Sequence, residues 1–87
     1  MEFRWNSEKD DWLKKYRGLG FEDVVFAYKE GKLLAITPHP KRHHQMLIVF
    51  EKDNYIFVAP CVMESENIYF LKTIYPSRKA TKRFLSV

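Results

Sequence analysis

Polar and aromatic positions alternate from Glu2 through Phe3, Arg4 and Trp5, which predicts a short opening strand. Asn6 or Ser7 then stands where a helix cap belongs, ahead of a helix over Glu8 to Arg17 that Gly18 ends. On that helix Lys9, Leu13 and Tyr16 lie close to one side with Trp12 one residue round, while Asp10, Asp11, Lys14 and Lys15 read as solvated. A second short helix opens at Gly20 to Asp23, where two acids suit the positive end of the macrodipole. Phe21, Val24, Val25 and Tyr28 give it an apolar stripe, and Gly31 is its C-terminal cap. Leu33 to Ile36 reads as a strand, and Thr37 to His44 as a polar loop kept irregular by Pro38 and Pro40.

Met46 to Phe50 is continuously apolar, as a central strand covered on both faces would be. The polar turn Glu51 to Asn54 joins it to a strand over Tyr55 to Met63, so the two form a hairpin. Pro60 cannot donate to a ladder and should mark a bulge, an edge or the end of a shorter strand. After a turn at Glu64 to Asn67, Ile68 to Tyr75 reads as a strand with Ile68, Phe70, Lys72 and Ile74 on one face and Tyr69, Leu71, Thr73 and Tyr75 on the other. Ser77 can cap a last helix from Arg78 to about Leu85. Its apolar face would carry Ala80, Phe84 and Val87, and its opposite face Arg78, Lys79, Lys82 and Arg83. These elements describe one α+β domain over residues 1–87: a short N-terminal strand, two helices, a three- to four-stranded antiparallel sheet and a basic C-terminal helix.

Hydrophobic residues are 46% of the chain and charged residues 30%, a balance that supports a folded core. Eighty-seven residues are expected to hold one small domain and no second one, which argues against a multidomain enzyme. Residues 1–66 hold ten basic and eleven acidic side chains, whereas residues 67–87 hold Lys72, Arg78, Lys79, Lys82 and Arg83 with no acid. The cationic surplus is therefore confined to the last quarter, which points to an anionic partner. Cys61 is alone and cannot form an internal disulfide. With no apolar run near the roughly 20 residues of a membrane span and no signal-peptide core, a cytoplasmic protein is expected.

The densest chemistry lies in Lys72 to Phe84. Arg78 and Lys79 fall in the first turn of the last helix, where the macrodipole and free backbone N–H groups disfavour cations; an anion such as phosphate docked between them offsets that cost. His39, His43 and His44 share a Pro-flanked loop with Lys41 and Arg42. They are candidates for general acid–base work or phosphate contact, but the loop lacks the cysteine or carboxylate ligands of a zinc site, so no metal is expected. Trp5, Tyr69 and Tyr75 can stack on unpaired bases or serve the core. Tyr75, at a strand end beside Ser77 and Arg78, suits the former best. Lys9 either snorkels over the core or reaches a site. There is no phosphate-binding glycine loop, dinucleotide fingerprint, nucleophile elbow or HExxH pattern, which argues against nucleotide hydrolysis and redox-cofactor chemistry.

Phe3, Trp5 and Lys9 in an F-x-W-x-x-x-K start, Gly18 to Val24 with Phe21, and the Arg78-Lys79-Ala80-Thr81 helix together resemble the BrnT family of bacterial toxins, which is similar in fold to the RelE toxins. The chain departs from the family pattern at Asn6, at Tyr75 and Pro76, and at Lys82 and Arg83. The resemblance implies a type II toxin that cleaves RNA, free or on the ribosome, without a cofactor, and that a cognate antitoxin holds inactive; a homodimer stays open. RNA carries its own nucleophile in the 2′-OH, so cleavage needs a proton acceptor, cations for the phosphorane and an acid for the leaving oxygen. Clustered cations lower a lysine's pKa, which lets lysine, arginine and tyrosine fill these roles. Arg78 and Lys79 are assigned the transition-state charge, Lys9 or a loop histidine the proton, and Tyr75 stacking or proton donation. Lys72, Lys82, Arg83, His43 and His44 are expected to bind RNA. Two other classes fit the residues: a non-catalytic nucleic-acid-binding module, and an interaction domain whose basic face receives an acidic protein segment.

Overall fold

The computed structural model describes residues 1–85. In chain order they form β1 (Glu2–Trp5), α1 (Ser7–Arg17), α2 (Glu22–Lys29), β2 (Leu33–Pro38), β3 (Met46–Lys52), β4 (Tyr55–Ser65), β5 (Ile68–Leu71), β6 (Tyr75–Pro76) and α3 (Arg78–Leu85). The sheet order is β1-β5-β4-β3-β2, with β6 pairing β4 beyond the end of β5. All neighbours are antiparallel except β1, which lies parallel to β5 and pairs Phe3 with Tyr69 and Trp5 with Leu71. The expected α+β class holds, but the sheet has more strands than expected and is mixed.

Period-two alternation in the central strands gives each face of the sheet its own core. Ile48 and Phe50 of β3 with Ala59 and Cys61 of β4 face one way, under Leu13 of α1 and Val24 and Ala27 of α2. Val49, Ile56 and Val58 face the other way and are covered by Ala80 and Leu85 of α3. The uninterrupted apolar run of β3 is thus the signature of a strand between two helical layers.

Local chemistry sets the ends of the elements. The Asn6 side chain accepts from the Lys9 amide at 3.0 Å and caps α1. α2 closes in a Schellman arrangement: Gly31 takes φ +74°, its amide reaches the Tyr28 carbonyl, and the Lys32 amide reaches the Ala27 carbonyl. Asp53 and Asn54, both at positive φ, make the two-residue hairpin turn between β3 and β4.

Several expectations are corrected. β2 runs two residues further than expected, because Pro38 ends an edge strand where a missing N–H costs nothing. Pro60 lies inside β4 and neither ends nor bulges it. In a strand the N–H and C=O of one residue point to the same side, and the Pro60 carbonyl accepts from the Lys72 amide. Its absent N–H therefore faces the break between β5 and β6, where no ladder partner waits. That break, at Lys72 to Ile74, interrupts the expected alternation, so Ile74 turns into the same core as Tyr69 and Leu71.

On α1 the inward residues are Asp10 and Leu13, while Trp12 and Tyr16 are exposed. On α2 the small Ala27 takes the core position, and Tyr28 stands out. On α3 Thr81, with Ala80 and Leu85, faces the sheet, while Phe84 is 41% exposed. Val87, the remaining residue of the expected apolar face, lies outside the described residues.

Candidate functional site

α3 is fastened to the sheet by polar contacts. The Ser77 hydroxyl accepts from the Ala80 amide at 3.1 Å and so caps the helix, and the Ser77 amide donates to the Ile56 carbonyl at 2.9 Å. One turn on, the buried Thr81 hydroxyl accepts from the Ile56 amide at 2.9 Å and donates to the Ser77 carbonyl at 2.7 Å. The start of the helix is held on β4 from two points. β6 adds a third, since Tyr75 pairs with Val58 and Pro76 with Phe57. Tyr75, Arg78 and Lys79 therefore project from a rigid stretch of backbone, all three exposed.

Lys79 and Arg83 share a groove of about 320 Å³ between α3 and the β2–β3 edge, whose floor is Ala35, Val49 and Ala80. Among the described residues no carboxylate lies within 4.0 Å of Arg78, Lys79, Lys82 or Arg83. The charge of this helix is open to an outside anion. Lys72 sits in the β5–β6 break with its ammonium 5.4 Å from the centre of the Phe70 ring.

The remaining sequence candidates lie elsewhere. Lys9 is on α1, over the opposite face of the sheet from α3, with its ammonium 4.1 Å from the centre of the Trp12 ring. His39 organises the β2–β3 loop: its Nδ1 accepts from the Lys41 and Arg42 amides at 3.0 and 3.1 Å, and its own amide donates to the Gln45 carbonyl. His43 and His44 are exposed at the tip of that loop. Trp5 stacks on Phe21 in the core, and Tyr69 is buried against Phe3. Among the described residues no three His, Cys, Asp or Glu side chains gather into a group that could hold a metal ion. No helix there is long and apolar enough to cross a membrane.

Three residues outside the expected set join the picture. Arg17 donates from its guanidinium to the Ile74 carbonyl, which ties the end of α1 to the residue before Tyr75. Trp12 and Tyr16, one turn apart on α1, stand exposed with their rings 5.3 Å apart. The i, i+4 spacing of these aromatics among lysines and an arginine was the available signal, but an amphipathic reading assigns such rings to the core first.

No family model matches this chain, and no curated protein is similar to it in sequence. Among solved structures, the crystal structure of the Brucella abortus ribonuclease toxin BrnT is similar in fold, at 15% sequence identity. The likeness covers 88% of this chain and 96% of that one with a TM-score of 0.67. The mixed sheet with two helices on one face and a basic helix on the other is a BrnT-like fold.

Proposed function

We propose that this chain is the ribonuclease toxin of a type II toxin–antitoxin pair and that it cleaves RNA by attack of the 2′-OH on the neighbouring phosphate. The fold shared with a ribonuclease toxin over most of both chains carries the proposal. The cationic α3, with no carboxylate of the described residues against it, supports it.

In this mechanism Arg78 and Lys79 take the charge of the pentacoordinate phosphate, at the end of a helix whose dipole and first amides favour an anion. The rigid backbone that Thr81, Ser77 and β6 impose keeps them in place as charge develops. Tyr75, held three residues before Arg78, donates a proton to the leaving 5′-oxygen or stacks on the adjacent base. The proton of the 2′-OH goes to His43 or His44 of the β2–β3 loop, because Lys9, the other sequence candidate, lies over the opposite face of the sheet from α3. Lys72, Lys82 and Arg83 hold flanking phosphates. No metal or cofactor enters the scheme. The protein works in the cytoplasm, where a cognate antitoxin covers the cationic helix.

The purified chain incubated with single-stranded RNA in the presence of a chelator is the direct test. Fragments ending in a 2′,3′-cyclic phosphate are expected, with loss of cleavage by about 10²–10³-fold in Arg78→Ala, the usual cost of one transition-state charge contact. Intact RNA, or fragments that require added metal, would exclude the mechanism.

A further inference from the structure

Two large aromatic side chains of α1 stand exposed one turn apart: Trp12 is 40% exposed and Tyr16 62%. Cations bracket them. Lys9 and Arg17 stand 4.1 and 5.1 Å from the centre of the Trp12 ring, and Lys15 stands 5.3 Å from that of Tyr16. These distances are within cation–π range, so the cations hold the rings in place without covering them. Glu8 and Asp11 are the exposed acids of the same helix, and neither forms an ion pair among the described residues.

The position of this pair is as informative as its composition. Arg17 is bonded to the Ile74 carbonyl, beside the stretch of sheet where β1 has ended at Trp5 and β6 pairs with β4 alone. From that open edge the chain passes through Tyr75 and Ser77 into Arg78 and Lys79. Arg17 thus links the aromatic pair of α1, through the Ile74 carbonyl and the Tyr75 to Ser77 stretch that follows it, to the first turn of α3.

We propose that Trp12 and Tyr16 are a stacking platform for unpaired bases of an RNA strand whose phosphate is held at Arg78 and Lys79. The inference rests on the ribonuclease proposal and adds a substrate-positioning surface to it. Interleaved rings and cations match a single strand, which offers a π face and a negative charge at every nucleotide. An acidic protein segment would use the cations and leave both rings idle. Duplex RNA would use the cations only, because its bases are already stacked.

The test uses the full chain and a short, dye-labelled single-stranded 2′-O-methyl RNA, which lacks the attacking hydroxyl and cannot be consumed, alongside a duplex of the same strand. Trp12→Ala and Tyr16→Ala are each expected to weaken single-strand binding by roughly tenfold, within the range of one lost base stack, while Trp12→Phe keeps most of it. Duplex binding should be unchanged in all three. Melting curves check that the exposed substitutions leave the fold intact. If Arg78→Ala weakens single-strand binding while Trp12→Ala and Tyr16→Ala do not, the platform is refuted and the ribonuclease proposal stands. Equal weakening on single strand and duplex also refutes stacking. If the wild-type chain binds neither probe, both proposals fail together.

Discussion

Asp10 makes the sharpest test of how the helical layer is held together. Its side chain is 7% exposed; one oxygen accepts from the buried Phe21 amide at 2.8 Å, and the other lies 2.9 Å from the Lys14 ammonium. Truncation in Asp10→Ala orphans an N–H that water cannot reach, at a cost of about 2 kcal/mol. The ion pair adds little, because half of the Lys14 side chain is in solvent. In a domain of this size about 2 kcal/mol lowers the melting temperature by roughly 8–16 °C. Asp10→Asn keeps an acceptor for Phe21 and should recover more than half of the loss. Lys14→Ala should melt within a few degrees of wild type. Circular dichroism melts of the three variants decide the matter. Were Lys14→Ala as damaging as Asp10→Ala, the ion pair and not the satisfied amide would be holding the α1–α2 corner.

Further outcomes follow from the same contacts. Thr81→Val leaves the Ile56 amide without its acceptor, so it should destabilise the protein by about 1–3 kcal/mol and speed amide exchange at Ile56. Gly20→Ala places a Cβ 2.8 Å from the pinned Asp10 carboxylate oxygen and should melt below wild type for that reason. Burial raises the Cys61 thiol from its usual 9.0 to about 11, so the folded protein should resist iodoacetamide at neutral pH until denatured. Because the folded value is the higher one, Cys61 contributes stability below pH 9 that disappears between pH 9 and 11. The melting temperature of Cys61→Ala should fall less across that window than that of wild type. Lys79→Ala and Arg83→Ala should each reduce the slope of log affinity for RNA against log salt by about 0.7, one phosphate contact each.

Most elements were legible because local patterns and tertiary packing agree in them. The apolar run of β3, the Asp53–Asn54 turn and the Gly31 cap each need little more than a few neighbouring residues. What failed depended on partners far along the chain. Asp10 reads as solvated until Phe21 is folded against it, Pro60 reads as a strand breaker until β5 stops beside it, and nothing local announces that β1 will lie parallel to β5. Of the candidate site, the basic run of α3 was visible as composition. The groove that Ala35 and Val49 of β2 and β3 form beside Lys79 and Arg83, and the Arg17 tie that carries α1 to the residue before Tyr75, exist only in three dimensions.

Whether the cationic start of α3 cleaves RNA is tested most directly by inducible expression in bacteria without a neighbouring gene, comparing wild type with Arg78→Ala/Lys79→Ala while RNA 5′ ends are mapped. Growth arrest with new RNA ends in wild type, both absent from the equally abundant and folded double variant, is the predicted result. New ends that persist in the double variant, or soluble wild-type protein that yields neither arrest nor new ends, would contradict it.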